Sequence, residues 1–229
     1  AAALPTLAAQ QVTVAAGRLV RVTGADTVPA GPARVVLHRI GRDTQGPTDS
    51  MVTGADGRFR FRFPADTTAL HLLSARYAGI EYFSTPVATN PATPDTQLVL
   101  VVSDTSSRAP VEVAMRHLVV AAPEGQGGRT VVDFLVLRNA GTMTRVAIGQ
   151  DAAVFAVPPP PRAVAGQVGQ EPDVPANAVR VRDGWLEILS PLAPGEKQVL
   201  LRYEVPPRVR TLEVPLGGPG GTLSVMVEE

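Results

Sequence analysis

The chain has no cysteine. That excludes a disulfide frame, a thiolate metal site, a thiol nucleophile and a cysteine-linked lipid anchor, and it leaves the compartment open. Aromatic residues are scarce, at 4% of 229 positions, so any core must be built mostly from valine, leucine and alanine. Net charge is also lacking: 21 basic residues balance 21 acidic ones. A dedicated nucleic-acid binder carries a basic excess, so nucleic acid is not an expected partner. No stretch reaches the ~20 apolar residues that a membrane-spanning helix needs.

Reactive motifs are missing too. There is no Gly-x-Ser-x-Gly elbow and no phosphate-binding glycine loop. His38, His71 and His117 are far apart, and none has a histidine or carboxylate at metal spacing. They read as strand-surface histidines rather than ligands. Asp26, Asp43, Asp49 and Asp56 fall in loops, where hard cations are often held, but they lack the register of a calcium loop and read as solvated turn residues. No catalytic residue, metal or cofactor is therefore expected, and the chain reads as a protein that is not an enzyme.

What the sequence does have is punctuation and alternation. It carries 22 prolines, 21 glycines and 45% hydrophobic residues. Proline excludes helix interiors and favours turns and edge strands. The expectation is an all-β protein of two tandem β-sandwich domains with essentially no helix. The clearest stretch is Gly54-Ala55-Asp56-Gly57 followed by Arg58-Phe59-Arg60-Phe61-Arg62-Phe63. An Asp-Gly turn runs into strict period-two alternation, which makes a strand with phenylalanine on one face and arginine on the other.

Around it, alternation predicts strands within 10–23, over 33–40, 69–77 and 80–87, with a polar loop at 41–49. Residues 91–96, from Pro91 to Thr96, have the composition of a linker, so domains are expected at 12–90 and 97–229. In the second, strands are expected at 97–102, 111–121, 129–139, from 144, within 179–189 either side of a turn at Asp183-Gly184, and at 197–205, 211–216 and 222–227. A long proline-rich loop is expected at 158–178. Residues 1–11 begin apolar and uncharged, and Thr6-Leu7-Ala8 approximates a small-x-small cleavage pattern. They are expected to be the end of a secretory signal, or a point of peripheral membrane contact.

The order of pieces across 12–88 resembles the carboxypeptidase regulatory-like domain, a transthyretin-like β-sandwich. The pieces are Ala33, Val35 and Leu37, then Asp56, Gly57, Phe59 and Phe61, then Ala75, Tyr77 and Gly79. The resemblance implies a folding or binding module without chemistry of its own. The second half loosely resembles an immunoglobulin-like exported sandwich, on the Pro191-to-Glu196 turn and the Val199, Leu201, Tyr203 strand.

Contact surfaces are then the natural candidates. Arg58, Arg60 and Arg62 form a basic row suited to an acidic partner or lipid headgroups, or simply a solvated face. Pro158, Pro159, Pro160 and Pro161 form a stiff extended segment, a spacer or a recognition stretch, and the loop beginning Ala163-Val164-Ala165-Gly166 is the stretch most expected to touch another protein. Trp185 is expected in the second core or at an interface. The functional expectation is a non-catalytic periplasmic or extracellular accessory subunit. It would bind other protein subunits of a membrane-associated complex, for example a respiratory or photosynthetic one. The alternative is a cell-surface adhesion or carbohydrate-binding module.

Overall fold

The computed structural model describes residues 11–123, 125, 127–149, 151–160, 164–168 (as backbone), 173–216 and 221–229. The signal-like segment 1–11 thus lies outside them, apart from Gln11. The chain is all-β: among the described residues the one helical element is a 3-10 turn, Ala176–Ala178. Two compact units, Ala1–Asp104 and Thr105–Glu229, divide the chain.

In the first unit, β1 (Val12–Thr23) is the central strand of a four-stranded sheet. It pairs antiparallel with β2 (Asp26–Pro29) and β5 (Arg58–Pro64), and in parallel with β8 (Asp95–Val102). The other sheet runs β4 (Gln45–Val52), β3 (Arg34–Ile40), β6 (Leu70–Tyr77), β7 (Ile80–Phe83). The alternation of β5 holds residue by residue, with Phe59, Phe61 and Phe63 buried and Arg58, Arg60 and Arg62 exposed. The buried side chains include Leu19 and Leu100 from the first sheet and Val35, Leu37, Leu73 and Ala75 from the second. Each buried phenylalanine contributes about 1.5–3 kcal/mol relative to exposure. Two glycines permit close backbone approach. Gly57 has φ +71°, and a Cβ there would meet the Leu19 carbonyl oxygen at 2.3 Å; at Gly17 it would meet that of Leu98 at 2.0 Å.

Two expectations change here. The stretch 41–49 is not simply a loop, because β4 spans most of it, with Pro47 opposite His38 beside a bulge. Proline is tolerated there because β4 is an edge strand. The strand that begins near 97 was expected to open the second domain, yet it is β8 and pairs with β1. Its ends are held from within the first unit. The Ala88 amide donates to Asp95 Oδ2 at 2.6 Å. Arg21 Nη1 donates to Asp104 Oδ2 at 2.7 Å, and the Tyr77 hydroxyl to Asp104 Oδ1 at 2.8 Å. Residues 91–94 are therefore a turn into β8, whose first residues are Asp95 and Thr96, and the division between units falls after Asp104.

The second unit holds β9 (Thr105–Ser106), β10 (Val111–Val120), β11 (Arg129–Asn139), β12 (Thr144–Arg145), β13 (Phe155–Val157), β14 (Val164–Val168), β15 (Val179–Arg182), β16 (Trp185–Ile188), β17 (Gly195–Val205) and β18 (Thr222–Val227). A five-stranded sheet runs β14-β17-β11-β10-β18, and a three-stranded sheet runs β13-β16-β15. Leu135, Leu137, Val199 and Leu201 of the larger sheet pack with Val157, Val179, Leu186 and Ile188 of the smaller. A second cluster, Leu118, Val131, Tyr203 and Val205, is covered by Val209, Leu212 and Val214. Those last three lie in 211–216 and just before it, which was expected to be a strand but forms irregular chain. Within the expected loop 158–178, β14 pairs with β17. A sheet neighbour supplies its hydrogen bonds, a signal that local composition does not carry.

Candidate functional site

The row Arg58, Arg60, Arg62 is displayed on the outer face of the β2-β1-β5 sheet, and strand register adds a fourth cation. Arg18 lies directly opposite Arg58, Ala16 opposite Arg60, and Val14 opposite Arg62. On the far side of β1, Val99 and Val101 of β8 stand opposite Arg18 and Val20, and both are exposed. Among the described residues, the carboxylate within ion-pair distance of the row is Asp56, 3.4 Å from Arg58, with both side chains mostly in solvent; Arg62 also borders a recess shared with Asp49 and Asp66.

The second surface is the end of the five-stranded sheet. Strand β18 pairs with β10 in parallel and has no further strand beyond it among the described residues. All six of its residues are exposed, including Val225 at 52% and Met226 at 64%. An open edge with apolar side chains on both faces is a template for strand addition. Beside it a recess of about 420 Å³ is lined by Leu118, Val120, Val205, Leu212, Leu223 and Val225.

Trp185 is not in the core. It follows the Asp183-Gly184 turn, whose φ angles of +50° and +75° suit a tight hairpin, and it is 47% exposed. Pro158 and Pro159 are half-buried and Pro160 is buried; Pro161 lies outside the described residues. The prolines that are described therefore pack against the unit instead of standing free. Of the loop segment at 163–166, Ala163 is outside the described residues and the remainder belongs to β14. These candidates do not gather into one site: the arginine row is in the first unit and Trp185 is in the second.

Two buried polar features were not anticipated. On the inner face of β10 and β11, Arg116 and Asp133 form an ion pair with side-chain exposures of 1% and 0%. Arg116 Nε donates to both carboxylate oxygens at 3.0 and 3.1 Å, and Nη1 donates to the Pro215 carbonyl. The Tyr203 hydroxyl sits near Asp133 without a well-formed hydrogen bond, and burial first, then the Asp133 charge, pushes it well above the usual phenol range. The signal was present in the alternation: Asp133 shares a period-two row with Val131, Leu135 and Leu137.

His71 is the other. It is buried against Phe63, ring centroids 4.8 Å apart, so it is not the strand-surface histidine expected. Burial lowers its pKa and Arg39 adds to this, while Asp66 and the Ala69 backbone oppose it. Asp66 is itself held below the usual carboxylate range by the Thr68 hydroxyl, then by Arg39 and the Thr68 amide. The Thr48 hydroxyl, which lines a recess together with Arg39, Asp66 and His71, donates to the Leu37 carbonyl at 3.2 Å. The recess thus presents a neutral imidazole and an engaged carboxylate, not an activated nucleophile beside its base. Among the described residues no three His, Asp or Glu side chains gather as a metal site.

Comparison with family models, curated proteins and solved structures returned no match.

Proposed function

We propose that the chain is a non-catalytic exported contact protein, an accessory subunit that docks on a larger membrane-associated protein assembly in the periplasm or at the cell surface. The observation that carries this reading is the β18 edge, six exposed residues with Leu223, Val225, Met226 and Val227 among them. A solvated edge strand is normally blunted by lysine, proline or a bulge; Thr-Leu-Ser-Val-Met-Val has neither lysine nor proline, and its pairing with β10 carries no register shift. The resemblance of 12–88 to the carboxypeptidase regulatory-like domain, and of the second half to immunoglobulin-like exported domains, supports the same reading, since such modules act by contact.

The test is purification of the tagged chain from membranes of its native host. Migration with a defined assembly on a native gel, lost with Val225→Lys, is the expected result. A free, soluble monomer from the same membranes would contradict it. One observation favours adhesion or carbohydrate binding instead: the exposed ring of Trp185 at a hairpin tip. That reading requires glycan binding by the isolated protein that Trp185→Ala abolishes.

A further inference from the structure

We propose that the outer face of the β2-β1-β5 sheet with β8 is a docking surface for a lipid bilayer rich in anionic headgroups. This inference does not rest on the β18 edge, which is in the other unit.

Four guanidinium groups lie on this face. Residues two apart along β5 are spaced by about 7 Å, so Arg58, Arg60 and Arg62 make a row. Arg18 stands directly across from Arg58 on the neighbouring strand. Like charges directly opposite are destabilising, and the ion pair that relieves them among the described residues is Asp56 with Arg58, 3.4 Å apart and well solvated. Among the described residues no carboxylate pairs with Arg18, Arg60 or Arg62. In a chain whose charges sum to zero, this concentration of cations is left largely unpaired within the unit among the described residues.

The geometry selects the partner. The Arg18–Arg58 pair borders a groove of about 770 Å³, which Arg60, Val20, Gln97 and Val99 also line. Two planar guanidinium forks across a strand pair match the oxygens of a phosphate group. The cations spread over two strands, in two dimensions, as headgroups do; an extended acidic peptide offers a single line. Val99, 60% exposed, and Val101 flank them on β8. Cations and apolar side chains on one face are what an interfacial element needs, the charge at phosphate depth and the valines toward the acyl boundary.

The test uses the full chain and sedimentation with vesicles of phosphatidylglycerol mixed with phosphatidylcholine, against vesicles of phosphatidylcholine alone. Binding to the anionic vesicles only, weakened as salt shortens the Debye length, is expected. Each arginine is worth about fivefold in partitioning, so Arg18→Gln with Arg60→Gln and Arg62→Gln should lower it about a hundredfold. The thermal midpoint should hold or rise, which separates lost contact from lost fold. Val225→Lys should leave vesicle binding unchanged, so failure here and failure of the edge-docking reading are distinguishable. Equal binding to both vesicle types would overturn the proposal. So would an undiminished triple variant, or capture of a polyglutamate peptide by a wild-type chain that ignores the vesicles.

Discussion

The inner faces of the first unit are mostly apolar: three phenylalanines from one strand and Val35, Leu37 and Leu73 from the other sheet are buried, with His71 buried against Phe63. The second buries an arginine and an aspartate between two apolar clusters, one backed by a small sheet and the other by irregular chain. Both are β-sheet cores of mostly aliphatic residues, yet they are specified differently. Period-two patterning places the apolar side chains of the first, and His71 sits in the same inner row as Leu73 and Ala75. In the second, the inner row is interrupted by charge, and Arg116 reaches the Pro215 carbonyl to hold the covering segment across the sheet. A buried pair of this kind contributes little net stability compared with a hydrophobic replacement, but either half left alone is costly.

That contrast can be broken most severely at Asp133. Asp133→Leu alone should cost about 4 kcal/mol, because it strands a buried guanidinium. Adding Arg116→Met should recover most of the loss. Urea titrations followed by Trp185 fluorescence, the single tryptophan being in the second unit, measure both. If the double variant is as unstable as the single one, the ion pair is doing more than satisfying itself.

In the first unit, Phe61→Ala should cost about 3 to 4 kcal/mol by cavity formation, and no single neighbouring change should restore it. Circular dichroism melts of this variant with and without Leu73→Phe check the contrast with the rescuable pair. Gly57→Ala comes next, at about 2 kcal/mol, from left-handed backbone strain and the Leu19 carbonyl in its way.

A pH effect follows from His71. Burial lowers its folded pKa below the unfolded value near 6.5. The unfolded chain therefore takes up the proton first as pH falls. The contribution to stability is fully present above about pH 6.5 and is lost as pH drops toward the folded pKa. Asp66, also depressed, gives a separate loss that begins only below the ordinary carboxylate pKa of 3.8. Melting temperature should decline between neutral and mildly acid pH in the wild type and stay flat there in His71→Phe.

The smallest effect is of opposite sign. Arg18→Gln relieves the cross-strand repulsion with Arg58 and should stabilise by a few tenths of a kcal/mol, about the size of cross-strand pair energies. Loss of stability would mean that the two guanidinium groups are not in conflict.

The sequence made some of this legible and not the rest, for physical reasons. β5 reads directly because its two faces differ at every step. β4 does not, because Gly46 and Pro47 look like loop and only its pairing with β3 makes it a strand. The unit boundary does not follow local composition: Asn90 to Asp95 has the composition of a linker, while β8 is tied to β1 by a parallel ladder invisible to local pattern. The arginine row was legible, but Arg18 joins it only through register. Trp185 reads as core by its hydrophobicity, whereas the Asp-Gly turn before it puts it at a hairpin tip.

The account stands most directly on whether the β18 edge is occupied where the protein works. A photoreactive side chain at position 225, activated in membranes of the native host, should form one discrete protein adduct that does not form from an otherwise exposed position such as 52. Folded, membrane-fraction protein that yields no adduct at 225, or the same diffuse adducts at both positions, would contradict it.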